Sequence, residues 1–398
     1  MSVELKQWSV VCRATVVACV VAGAPLAAQQ SGGTAGTTPS PAITRADLGD
    51  AYLRMDRAYV SAILSDSARA TINRQFDRST LSFFGGRFSA AIAAIDSATV
   101  AVTGAPLAAP APRPSRIVNG RLASMARTTF LARLAKLDTT GPLSQAITSA
   151  RARAQLLVDE PSRERLAEYL SDAPQLARDL AREVSVLERG RNPYVGQAGD
   201  AWHTFRGDNG TLIPMRVAAP AAAATSSAPV PVVIVLHGAG GDENMFMEAY
   251  GQGLVKSMGL AANAIVVSPA TTPFGASPAH FDSLMSVLRS QYRVNGARVY
   301  VMGHSMGAGV AAKLAQLRPT AIAAVACLAG GSPVTVAKAP PMLFIGAALD
   351  PIIPAADVRK AAQGTPTATY KQLEHEGHTL MVANGIRMAL PWLLEHRP

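Results

Sequence analysis

The sequence predicts an α/β domain with a mostly parallel sheet at residues 200–398, preceded by an all-α helical domain at residues 44–192. Three observations predict it. Strand-like alternation is nearly absent before Tyr194, where apolar residues recur at helical spacing. After that point short, continuous apolar runs alternate with helical patterns, as in a sheet whose strands are buried on both faces. All seven histidines lie at or after His203, so the commonest acid/base side chain is confined to the second part.

The chain of 398 residues is long enough for two domains, and 49% apolar residues supply a sizeable core. Its start reads as an export signal over residues 1–28. Lys6 and Arg13 give a basic lead, Ala14 to Ala24 is apolar, and Pro25-Leu-Ala-Ala28 offers small residues for cleavage. The expected location is therefore periplasmic or secreted, with no stable membrane span after processing. An uncleaved N-terminal anchor and lipoprotein processing at Val16-Val-Ala-Cys19 are the alternatives. Arg13 sits too close to Cys19 for a full apolar stretch before it. Cys12 and Cys19 fall within this segment, so the processed chain keeps Cys327 alone, expected as a small buried apolar side chain.

Gln29 to Ile43 is rich in Ser, Gly, Thr and Pro and reads as a flexible linker. Thr44-Arg-Ala-Asp47 resembles a capping box. Leu48, Tyr52, Met55, Tyr59, Ile63 and Leu64 then follow at helical spacing. Further helices are expected over Ala68–Thr99, with a weak point at Gly85-Gly86, and over Leu122–Leu137, Leu143–Val158 and Ser162–Leu187. Four prolines between Ala105 and Pro114 require an extended connection. From Arg45 to Arg191 there are 21 basic and 15 acidic residues, interspersed along the helices. That pattern is a solvated helix surface and argues against a nucleic-acid partner, although a net charge of +10 permits loose attraction to anionic envelope surfaces. The helical domain is expected to contact substrate or envelope partners, or to stabilise the chain.

Gly190-Arg-Asn-Pro193 ends the helical part. Trp202–Arg206 and Leu212–Val217 flank a hairpin signal at Gly207-Asp-Asn-Gly210, and Ala218–Pro229 reads as a loop. Strands are expected at Val230–Leu236, Ala264–Ser268, Arg298–Met302, Ile322–Leu328, Met342–Ile345 and Thr367–Leu373. Helices are expected at Asn244–Met258, Phe281–Tyr292 and Met306–Leu317.

Within this frame Gly303-His-Ser305-Met-Gly307 has the form G-x-S-x-G and lies between a strand and a helix. Such an elbow strains the serine backbone and needs small residues two before and two after it. Ser305 is thus the candidate nucleophile. His237-Gly-Ala-Gly-Gly241 ends the strand at Leu236, and its small residues let backbone N–H groups approach a developing oxyanion. The donors would be the N–H groups of Ala239 and Met306. A serine needs a base held by a third group. His378, beyond Gly377, is the expected base, with His375 its rival; Asp350, after the strand Met342–Ile345 and before Pro351, is the expected acid, with Asp357 read as a surface charge. His304 is expected to point away from the chemistry, and His237 to order its own loop.

The order Ser305, Asp350, His378 and these four motifs together resemble the α/β-hydrolase superfamily, in particular carboxylesterase/dienelactone-hydrolase-like and polyhydroxybutyrate-depolymerase-like esterases. The resemblance covers about half the chain, from Trp202 onward. Dienelactone hydrolases proper carry a cysteine at the elbow, which speaks against that activity here. The resemblance implies an exported serine hydrolase acting on a small-molecule carboxylic ester, with no metal and no organic cofactor. A serine peptidase of the same fold and a non-catalytic envelope-interaction protein are the competing readings.

Overall fold

The computed structural model describes residues 43, 45–107, 116–157, 173–225 and 228–397. The signal segment, nearly all of the linker, Thr44, most of the proline-rich connection and the first part of the expected helix Ser162–Leu187 lie outside the described residues. Ile43–Pro398 forms one compact unit. Among the described residues no helix is long and apolar enough to cross a membrane.

Among the described residues six helices precede the sheet: α1 (Arg45–Ser61), α2 (Asp66–Phe84), α3 (Phe88–Thr103), α4 (Arg116–Leu134), α5 (Ser144–Ala154) and α6 (Ala173–Glu188). The helical periodicity therefore reports these elements well. Ser65 caps α2 by accepting the Ala68 N–H at 3.3 Å, and the Gly85-Gly86 weak point is the turn between α2 and α3. The helices form two separate cores. Met55, Tyr59, Ile72, Phe76 and Ile95 join α1, α2 and α3 around Leu380 of the sheet domain. Phe130, Leu134, Ile147, Leu180 and Val184 join α4, α5 and α6 around Tyr194.

The sheet has eight strands in the order β1-β2-β4-β3-β5-β6-β7-β8. They are β1 (Gly199–Arg206), β2 (Leu212–Ala219), β3 (Val230–Leu236), β4 (Ile265–Pro269), β5 (Val294–His304), β6 (Ala324–Leu328), β7 (Met342–Ala347) and β8 (Ala368–Leu373). Pairing is antiparallel at β1–β2 and β2–β4, and parallel from β4 to β8. Alternate residues of each central strand feed opposite cores, which is why the strands read as unbroken apolar runs. Val232, Ile234, Val299 and Val301 face one core, which also takes in α9 (Thr271–Gly275), α10 (Ala279–Gln291), α11 (Met306–Leu317) and α12 (Ala355–Gln363). Val233, Val235, Tyr300 and Met302 face the other, with α8 (Leu254–Ala261) and α13 (Met381–Glu395). Cys327 is fully buried in the first of these cores, as its apolar setting predicts.

Two expectations need correction. Ala218–Pro229 is not all loop: β2 runs to Ala219, and a short helix, α7 (Ala221–Thr225), follows. The single helix expected over Asn244–Met258 is instead a π-turn at Met245–Ala249, a break, and α8. In the break Gly251, Gln252 and Gly253 all take positive φ (64°, 59° and 69°), which no helix accommodates. Asp56 of α1 holds it open by accepting the Gly251 and Gln252 N–H groups at 3.0 and 2.7 Å. The partner lies 195 residues away, beyond the reach of a local sequence pattern.

Candidate active site

Strand β5 runs straight into the elbow, and α11 begins at the next residue. Ser305 sits between them at φ 55°, ψ −117°, a conformation that a non-glycine residue adopts only under strain. The flanking glycines are required by space. A Cβ on Gly303 would strike the Gly307 carbonyl, and one on Gly307 would strike the Leu236 carbonyl at the end of β3. The Ser305 N–H is tied to the Leu328 carbonyl of β6 at 2.9 Å. These contacts raise the hydroxyl above the carboxyl edge of the sheet, at the N-terminus of α11.

The structure brings Ser305, His378 and Asp350 together. His378 Nε2 lies 3.0 Å from Ser305 Oγ, and His378 Nδ1 lies 2.7 Å from Asp350 Oδ2. A carboxylate only accepts, so Nδ1 carries the proton and Nε2 is left to accept from the serine hydroxyl. Asp350 is itself fixed, because its Oδ1 accepts the Ile352 and Ile353 N–H groups at 2.8 and 2.9 Å in the turn after Pro351. The rival His375 is 43% exposed and faces Asp66 at 3.4 Å, away from the serine. Asp357 lies in the first turn of α12 and is exposed.

Ala239 and Ser305 line one cavity of about 130 Å³, and Met306 directly follows the serine at the start of α11. Among the described residues neither the Ala239 nor the Met306 N–H has an acceptor in the protein. His237 secures the loop. Its Nε2 accepts the Thr271 N–H at 2.8 Å, so its Nδ1 is protonated and donates to the Gly238 carbonyl at 2.8 Å. His304 is not idle either. A carbonyl only accepts, so His304 Nε2 donates to the His378 carbonyl at 2.9 Å and Nδ1 accepts from the Tyr250 hydroxyl at 2.9 Å. Burial holds this imidazole well below the usual histidine range, in keeping with a neutral ring.

The residues that sequence reasoning missed come from the helical part. Leu48, Tyr52, Phe76, Thr80, Phe83 and Ile95 of α1, α2 and α3 line the same cavity as Ser305 and His378. A Cβ on Gly240 would collide with the Phe83 ring, so this loop glycine is dictated by α2 as well as by its own φ of 80°. Helix α2 also grips the loop that carries His378. Asn73 Oδ1 accepts the Gly377 N–H at 2.7 Å, and Asp77 Oδ2 accepts the His378 N–H at 3.1 Å. Glu376 is pinned by the Tyr59 hydroxyl at 2.8 Å, by Arg69 at 3.1 Å and by Asn384 at 2.6 Å. The one available signal was spacing: Asn73, Asp77 and Thr80 share a face of α2, and Asn73 is fully buried.

A mostly parallel eight-stranded sheet, with a strained serine between β5 and α11 and an acid and a histidine on later loops, is an α/β-hydrolase fold. Residues 267–367 match the family model for esterase PHB depolymerase. Among solved structures, a thermostable esterase is 20% identical with a TM-score of 0.41, over 50% of this chain and 63% of that one. An S-formylglutathione hydrolase from Agrobacterium tumefaciens is 16% identical with a TM-score of 0.42, over 51% and 97% of the two chains. A fluorophosphonate-binding serine hydrolase of Staphylococcus aureus is 13% identical with a TM-score of 0.42, over 50% and 100%. No curated protein matches the chain.

Proposed function

We propose that the protein is a serine hydrolase that cleaves carboxylic esters of apolar acids or alcohols through an acyl-enzyme. The observation that carries the reading is the hydrogen-bonded line from Asp350 through His378 to Ser305, at 2.7 and 3.0 Å. In this reading His378 takes the Ser305 proton as the hydroxyl oxygen attacks the acyl carbon. Asp350 keeps the ring in the reactive tautomer and stabilises the imidazolium. The carbonyl oxygen becomes an oxyanion that accepts the Ala239 and Met306 N–H groups, at the positive end of α11. His378 then returns the proton to the leaving alkoxide, and the alcohol departs. A water deprotonated by His378 opens the acyl-enzyme, releasing the acid and restoring Ser305.

The apolar preference follows from the cavity wall, where Leu48, Phe76, Phe83 and Ile95 line the same cavity as Ser305. Phe84 stands 44% exposed at the same cavity. Export is part of the same proposal and rests on the pattern of residues 1–28. It is tested by reading the N-terminal residue of protein recovered from the cell envelope fraction or medium.

The direct test is turnover of a series of p-nitrophenyl esters by the wild type and by Ser305→Ala. The variant is expected to lose roughly 10³-fold or more in kcat while still folding. A Ser305→Ala protein that keeps full esterase activity defeats the proposal.

A further inference from the structure

We propose that helix α2 is a positioning element of the catalytic centre: Asp77 and Asn73 hold the backbone of the His378 loop, and the sheet domain depends on them for turnover. The inference rests on the esterase reading above. Its ground is that both backbone polar groups of His378 are tied down, from opposite sides. The carbonyl accepts from His304 Nε2 at 2.9 Å, on the elbow, and the N–H donates to Asp77 Oδ2 at 3.1 Å, on α2. One residue earlier, Asn73 Oδ1 takes the Gly377 N–H at 2.7 Å. The contact is tight enough that Gly377 has no room for a Cβ, which would collide with the Asp77 carboxylate.

A loop after a strand end would otherwise be free to shift, and His378 must satisfy two partners at once, Asp350 and Ser305. A displacement of about 1 Å of a reacting group costs on the order of 10²-fold in rate. The arrangement also explains why Asp77 is buried, 3% exposed, with its Oδ1 making no hydrogen bond among the described residues. Burying a carboxyl group is unfavourable, yet here its other oxygen takes up the His378 N–H. Asn73 is held in turn, since its Nδ2 donates to the Tyr59 hydroxyl at 2.8 Å and to the Arg69 carbonyl at 3.0 Å. Neither residue touches the cavity wall, so each acts through His378 and not on the substrate.

The test uses the full chain and p-nitrophenyl butyrate, with active sites counted by a fluorophosphonate. Asp77→Ala is expected to lower kcat by about 10²-fold and the rate of Ser305 phosphonylation in parallel, with KM within about threefold. Asp77→Asn keeps an oxygen that accepts the His378 N–H, and is expected to recover most of the loss. Asn73→Ala is expected to cost about tenfold, and it carries the test if Asp77→Ala does not fold. Gln145→Ala, on α5 and remote from the site, is the control and is expected to keep its kcat. The inference is overturned if folded Asp77→Ala or Asn73→Ala turns over within about twofold of wild type, or if Asp77→Asn recovers nothing. A wild type that neither hydrolyses the ester nor labels at Ser305 defeats the esterase reading instead, which separates the two failures.

Discussion

The two helical groups before the sheet do different work. Helices α1, α2 and α3 sit over the carboxyl edge of the sheet, where Phe83 packs on the Gly240 loop, Asp56 holds the Gly251–Gln252 turn and Asn73 and Asp77 hold the His378 loop. In the second group α5, packed against α4 and α6, instead covers β1, the edge strand. Ser149 Oγ accepts the Thr204 N–H at 3.1 Å, Gln145 donates to the Thr204 carbonyl at 2.7 Å and Arg153 donates to the Trp202 carbonyl at 2.6 Å. An open strand edge is a template for pairing with other chains, and these side chains close it. The first group thus bears on the candidate site and the second on the sheet edge, although both read as the same kind of Arg-rich amphipathic helix.

Arg153 separates the two groups most sharply. It forms a buried pair with Glu183 at 3.1 Å, and burial raises the Glu183 carboxyl against the pull of Arg153. Arg153→Ala would leave that buried carboxylate without its counter-charge, held by the Tyr194 hydroxyl alone at 3.1 Å, and the Trp202 carbonyl without a donor, so it is expected to lower stability by about 3–5 kcal/mol, read from urea unfolding. Turnover per folded molecule should be unchanged. A large fall in kcat with little loss of stability would show that the second group also bears on the chemistry.

A smaller effect is expected at Phe83. Phe83→Ala opens the cavity beside the serine, and should lower the preference for longer apolar acyl groups over acetate by about tenfold in kcat/KM. An unchanged acyl-chain profile would mean that substrate does not lie against α2.

A third effect is in pH dependence. Burial lifts both Asp56 and Asp77 to about 7. A carboxyl raised on folding binds its proton more tightly in the folded chain than in the unfolded one between about 4 and about 7. Its contribution to stability therefore declines as pH rises through that window and is constant above it. Asp77→Asn removes one such group, so the variant should gain stability relative to wild type as pH rises from about 4 to about 7. Urea midpoints at several pH values check the sign, and a relative loss would contradict it.

Much of the site was legible because its cues are local. Gly303 and Gly307 are demanded by backbone contacts within a few residues or on the neighbouring strand, and Asp350-Pro351 and Gly377-His378 each follow a strand end. The central strands β3, β4, β6 and β7 were legible for the same reason, as uninterrupted apolar runs. The role of α2 was not, because Asn73 and Asp77 meet partners 304 and 301 residues away, and polar residues on an amphipathic helix ordinarily face water. The broken helix after Asn244 was hidden in the same way, since Asp56 supplies the acceptor from the far end of the chain.

The central claim, that Ser305 is a nucleophile whose base is held by α2 and not by α5, is tested most directly by fluorophosphonate labelling followed by peptide mass mapping. The expected outcome is one adduct per chain on Ser305, none in Ser305→Ala, slow labelling in Asp77→Ala and wild-type labelling in Gln145→Ala. No adduct on Ser305 in the folded wild type, or equal rates in the Asp77 and Gln145 variants, would contradict it.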